Sequence, residues 1–172
     1  LRHIVFITGG ARSGKSRFAQ KTAEGWPGRL LYIATAEVRD PEMAQRVAAH
    51  RADRGQRWAA REEPLDLPAA LDEAAGYGGA LLDCLTLWAS NLLEAHPDDE
   101  GAVRAEVSRF LAALERFPGR LAVVTNEVGS GIVPANALAR RFRDLAGTLN
   151  QEVAARADQA YLVVSGLPVR LG

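Results

Sequence analysis

Residues 9–16 read Gly9-Gly10-Ala11-Arg12-Ser13-Gly14-Lys15-Ser16, and the apolar run Ile4-Val5-Phe6-Ile7 stands directly in front of them. A G-x-x-x-x-G-K-[ST] spacing between a buried strand and a helix leaves a chain few choices of fold. The glycines let the backbone curl without Cβ clashes, so successive N–H groups and the start of the next helix converge on one point and attract negative charge. Ser16-Arg17-Phe18-Ala19-Gln20-Lys21-Thr22-Ala23 reads as that helix. Lys15 adds a mobile positive charge for the outer phosphates of a nucleoside triphosphate, and the Ser16 hydroxyl is placed to ligate Mg²⁺. A chance glycine-rich turn is the competing explanation, and it must match four fixed positions and the strand–helix context at once.

Apolar strand-like runs alternate with helical stretches along the rest of the chain, which predicts an α/β fold with a mostly parallel sheet flanked by helices. Strands are expected at 30–35, 58–62, 79–83, 121–125 and 161–164, with 166–171 turning into a short edge strand. Helices are expected at about 42–54, 67–75, 87–95, 102–116 and 136–156. The last two carry apolar stripes, Val103, Val107, Phe110, Leu111 and Leu114 in one and Leu138, Phe142, Leu145, Leu149 and Val153 in the other. Between strand 121–125 and the last helix, Asn126 to Pro134 is rich in glycine and reads as a long loop at a strand's carboxyl end, the edge where such sheets bind ligands.

At 172 residues the expectation is one domain, 1–172, burying roughly 70 per cent of its unfolded surface. Lys plus Arg and Asp plus Glu both total 21, so there is no electrostatic footprint for nucleic acid or an acidic membrane. A single cysteine, Cys84, lies in an apolar run and reads as a buried thiol of a cytoplasmic protein. The apolar run before Gly9 is too short for a signal sequence, and no stretch of about 18 apolar residues predicts membrane insertion.

Asp83 ends an apolar strand on the same sheet edge as the loop, where a second Mg²⁺-organising carboxylate belongs; its alternative role is a helix cap. His50 sits on a predicted helix with Arg46, Arg51 and Arg54. Such cationic surroundings favour neutral imidazole and attract phosphate, which suits a nucleophile, although a solvated surface histidine fits the same spacing. Arg12 reads equally as a phosphate contact or a surface arginine. Glu62 and Glu63 read as solvated unless Glu62 closes a strand at the ligand edge.

Taken together, Thr8 to Ser16, Tyr32-Ile33-Ala34-Thr35, Glu42-Met43 with Arg46 and His50-Arg51, and Trp58 with Glu62 resemble the bifunctional adenosylcobinamide kinase / adenosylcobinamide-phosphate guanylyltransferase family. Asp83-Cys84-Leu85-Thr86-Leu87-Trp88 with Asn91-Leu92-Leu93, the segment Thr125 to Pro134, Arg143-Asp144, Asn150-Gln151 and Val164-Ser165-Gly166 extend the resemblance over nearly the whole chain. It implies a single-domain P-loop fold, a RecA-like three-layer sandwich. It also implies phosphorylation of adenosylcobinamide by ATP or GTP, then GMP transfer from GTP to the new phosphate through a covalent GMP on His50. Nucleotide contacts from Ala34, Thr35, Ala36, Arg51, Ala52, Asp53, Arg54 and Glu62, and a homotrimer, are likewise implied by the resemblance alone, whereas the metal or nucleotide role of Asp83 is read from its place at the strand end. The phosphate loop by itself also permits a simple small-molecule kinase or a nucleotide switch.

Overall fold

Each of the apolar runs becomes a strand of one sheet because both of its faces are covered. The structure, a computed structural model, describes residues 1–37 and 55–172. Among them the strands are β1 (His3–Gly9), β2 (Leu30–Ala34), β3 (Trp58–Glu62), β4 (Gly79–Asp83), β5 (Arg120–Val124), β6 (Gln159–Val164) and β7 (Leu167–Arg170). The helices are α1 (Lys15–Glu24), α2 (Leu67–Ala74), α3 (Leu85–Ala95), α4 (Glu100–Arg116) and α5 (Ala137–Ala154). The strand order is β3-β2-β4-β5-β1-β6-β7. All neighbours are parallel except β7, which returns antiparallel along β6 as the expected edge strand.

The period-2 alternation of side chains divides the core into two layers. Ile4 and Phe6 of β1 join Leu31, Ile33, Leu82 and Val123 under α2 to α5, whereas Val5 and Ile7 join Leu81, Ala122, Val124 and Val163 under α1. The runs are therefore continuously apolar instead of alternating with polar residues. The short strand inferred at 58–62 and the short helix inferred at 67–75 are both present, as β3 and α2. α2 starts on an Asp66 cap that accepts from Ala69 N at 3.3 Å, and the turn before it is tied down where Trp88 Nε1 donates to Leu65 O at 2.8 Å. Trp88 is fully buried against Phe110, with ring centroids 4.9 Å apart.

Element boundaries shift by one or two residues, and one packing expectation changes. α3 begins at Leu85, two residues earlier than its pattern suggested, and α5 spans 137–154 with Asn136 Oδ1 accepting from Ala139 N at 3.1 Å. Leu138 is 53% exposed and leaves the apolar stripe, because the stripe's contact with the core ends one turn later at Phe142. The helix expected over 42–54 lies outside the described residues, as do His50 and Arg51 to Arg54.

The chain leaves β1 through α1 and reaches β2 only beyond β5 and β4, while β1 itself is flanked by β5 and β6. The connection from β5 runs the other way, through α5 across β1 to β6, and the phosphate loop begins at the carboxyl end of β1, the edge where open α/β sheets bind ligands.

Candidate active site

Among the described residues the buried polar side chains are Thr8, Ser13, Lys15, Thr35, Thr86, Asn91 and Thr125. All lie in the phosphate loop, at the carboxyl ends of strands or in the helix that follows β4, so the desolvation cost of polar burial is concentrated on one edge of the sheet. Thr35 Oγ1 donates to Cys84 O and accepts from Cys84 N, both at 2.8 Å, and binds the end of β2 to the end of β4. Asn91 Nδ2 donates to Thr35 O at 2.9 Å and to Pro64 O at 3.0 Å. Across β5, Thr125 Oγ1 donates to Asn150 Oδ1 at 2.7 Å, and Asn126 N donates to Thr86 Oγ1 at 2.7 Å. The strand ends form a cross-linked platform that needs no ligand to hold its shape.

The loop rests on this platform. Gly14, with φ of 92°, caps α1 without any side-chain hydrogen bond, and no acidic residue occupies the first turn. The N–H groups at the start of α1 are thus left for an anion. Ser13 Oγ is buried without a hydrogen-bond partner. Lys15 is 8% exposed, and its Nζ donates to Gly10 O at 3.0 Å with no carboxylate paired to it among the described residues. A buried ammonium whose one hydrogen bond among the described residues is to a carbonyl, beside an uncapped helix N-terminus, suits a negatively charged ligand.

Gly14 packs on the β6–β7 turn, where Gly166 N donates to Ser13 O at 2.8 Å and a Cβ on Gly14 would fall 3.1 Å from Gly166 Cα. The constraint is tighter at Gly9, whose Cβ would stand 2.5 Å from Val163 O and 2.7 Å from Ser13 Oγ. Gly9→Ala is expected to cost about 1–3 kcal/mol through overpacking, read as a lowered unfolding temperature together with weaker nucleotide binding. An unchanged unfolding temperature would show that the loop tolerates the shift.

Asp83 ends β4 with its Oδ2 accepting from Tyr32 Oη at 3.1 Å. The helix after it is capped instead by Cys84, in extended conformation and without a side-chain bond, so the cap alternative for Asp83 falls away. No hydrogen bond occupies the Ser16 hydroxyl among the described residues, which also contain no cluster of three or more acidic, His or Cys ligands. A hydroxyl and one carboxylate, without an all-protein cage, fit Mg²⁺ that takes its remaining ligands from phosphates and water. Ala34 is buried, and Glu62 ends β3 in register with it, which puts Glu62 at the ligand edge. Arg12 is exposed at the loop's tip with φ of 55°. Glu63 is held by Arg61 at 2.7 Å and caps the turn before α2 through Asp66 N.

Cys84 offers no rival nucleophile. Burial, reinforced by the Asp83 charge, pushes its thiol up to about 11, so the thiolate is scarce at neutral pH. Cys84 is expected to resist alkylation by iodoacetamide at pH 8 in the folded protein and to react fully once unfolded; rapid labelling of the native chain would contradict this burial.

The family model for cobinamide kinase / cobinamide phosphate guanyltransferase matches residues 5–171. The chain belongs to that family. Bifunctional adenosylcobalamin biosynthesis proteins from Pseudomonas aeruginosa, Escherichia coli and Salmonella typhimurium are 46%, 41% and 42% identical to it, over 96–98% of this chain and 95–99% of theirs. Among solved structures, a KaiC-like protein from Pyrococcus horikoshii superposes with a TM-score of 0.53 over 93% of this chain and 70% of that one. At 14% identity it speaks for the fold alone, a RecA-like α/β sandwich.

Family membership makes the chain a bifunctional kinase and guanylyltransferase. Sequence reasoning placed the loop and Asp83 but missed Thr8, Thr86 and Asn150 as platform residues, and missed Gly166 as the buttress of the loop. The quoted segments containing these residues were the available signal.

Proposed function

We propose that the chain uses a single nucleotide site for both steps, within one domain spanning 1–172. A nucleoside triphosphate first phosphorylates the aminopropanol hydroxyl of adenosylcobinamide. GMP then passes from GTP to His50, and from His50 to adenosylcobinamide phosphate, giving adenosylcobinamide-GDP. The observation that carries the single-site reading is Lys15, a buried ammonium without a counter-carboxylate among the described residues, beside the open N-terminus of α1.

Gly9 to Ser16 would hold the phosphates through main-chain N–H groups, with Ser13 Oγ and Lys15 Nζ donating to phosphate oxygens in both reactions. Ser16 and Asp83 would hold Mg²⁺, which supplies charge neutralisation on the phosphates when bound. Neutral His50 would attack the α-phosphorus of GTP in line, expelling pyrophosphate, and the acceptor phosphate would then displace His50. Ala34 to Ala36, Arg51 to Arg54 and Glu62 complete the nucleotide contacts in this reading. A homotrimer working in the cytoplasm belongs to it as well. The exposed edge strand β7, with Leu167 and Val169 uncovered, is compatible with self-association, and no described helix is long and apolar enough to cross a membrane.

Product analysis tests the proposal. With adenosylcobinamide, GTP and Mg²⁺, the chain is expected to release GDP in the first step and pyrophosphate in the second, with pyrophosphate beyond the single equivalent expelled as GMP loads His50 appearing only after the corrinoid phosphate has formed. Release of GDP alone would reduce the chain to a simple kinase.

A further inference from the structure

The two reactions differ in what they ask of a proton. The kinase acceptor is an alcohol, which must lose its proton as it attacks; the guanylyltransferase acceptor is a phosphate monoester, already anionic. A base is therefore needed in one reaction and superfluous in the other.

Glu127 occupies the place such a base requires. It lies just past β5, the strand beside β1, and its main-chain N donates to Gly9 O at 3.1 Å, which locks it to the first residue of the phosphate loop. The buried Thr8 hydroxyl donates to Glu127 Oε1 at 2.7 Å. The residue is solvent-exposed, and its other oxygen has no hydrogen bond or ion pair among the described residues. The preceding residues cannot drift, because Thr125 and Asn126 are bonded to Asn150 and Thr86. A fixed carboxylate beside a phosphate site repels the nucleotide, so its presence there calls for a compensating role. Asp83 is less suited: one of its oxygens is engaged by Tyr32, and as a metal ligand it would serve both reactions alike.

We infer that Glu127 is the general base of the kinase step and has no part in guanylyl transfer. Its carboxylate takes the proton of the substrate hydroxyl while that oxygen bonds to the γ-phosphorus. The bond from the γ-phosphorus to the bridging oxygen breaks, and its electron pair leaves with the nucleoside diphosphate. The resulting carboxylic acid returns the proton to water. Thr8 is a positioning residue that holds the carboxylate at the loop.

This inference rests on the two-step reading above, and one set of assays separates their failures. Glu127→Gln keeps an oxygen to accept from Thr8 but cannot take a proton. Kinase turnover on adenosylcobinamide is expected to fall by about 10²-fold or more, while guanylyl transfer to supplied adenosylcobinamide phosphate stays within about threefold of wild type. A smaller kinase loss, or an equal loss in both reactions, would overturn the assignment. Glu127→Ala provides a second measurement: added formate is expected to restore kinase turnover if a base was removed, and no restoration would mean that a structural contact was lost instead. Wild type measured in parallel decides the underlying reading, since failure to phosphorylate adenosylcobinamide at all would refute the function and not the role of Glu127.

Discussion

Lys15→Ala is expected to lower both the kinase and the guanylyltransferase rates by at least about 10²- to 10³-fold, the loss typical of removing a donor aimed at charge that develops in the transition state. In the proposed single-site reading each reaction expels a phosphate-bearing leaving group from the same loop, so one ammonium would serve two chemistries. The side chain is almost wholly buried and, among the described residues, bonded only to Gly10 O, which leaves its charge available for a phosphate. Lys15→Arg should not restore activity, because a planar guanidinium does not reproduce the compact point charge that Lys15 places within 3.0 Å of Gly10 O. Steady-state kcat/KM for each half-reaction, with unfolding temperature as a control, checks the prediction. Loss of one reaction alone would mean that the two steps use different nucleotide sites.

His50→Ala is expected to divide the activities instead of lowering them together. If His50 carries GMP, its removal should depress guanylyl transfer by at least about 10⁴-fold, as loss of a catalytic nucleophile does elsewhere. Kinase activity should persist, since transfer of the γ-phosphoryl group to an alcohol needs no covalent relay. The measurement is formation of adenosylcobinamide phosphate and of adenosylcobinamide-GDP by the same variant preparation. Equal loss of both products would count against the division of labour.

The loop, the strand before it and Asp83 could be read from the chain because each is a local pattern: a spacing of glycines, a continuous apolar run, a carboxylate where that run stops. Alternation of strands and helices likewise disclosed the parallel sheet. Strand order was not legible, since period-2 patterning tells which residues share a face and says nothing about which strand lies alongside. As a result the pairing of β1 with β5 stayed hidden, and with it the contact between Thr8 and Glu127, 119 positions apart. The same limit hid the support of Gly14 by Gly166, which joins the loop to the far end of the chain. Leu138 shows the converse: a perfect helical stripe overstated burial, because a stripe does not reveal where the core beneath it ends. The functional weight placed on His50 came from family resemblance, as its spacing alone favoured a solvated surface histidine or one packed on Val47.

The covalent relay is tested most directly by incubating the chain with Mg²⁺ and GTP labelled at the α-phosphate, followed by denaturing electrophoresis of wild type and His50→Ala. Wild type should retain label that survives alkali and is lost in acid, the behaviour of a phosphoramidate, and the variant should retain none. Wild type that binds GTP yet keeps no label, or label that persists on His50→Ala, would contradict a GMP intermediate on His50.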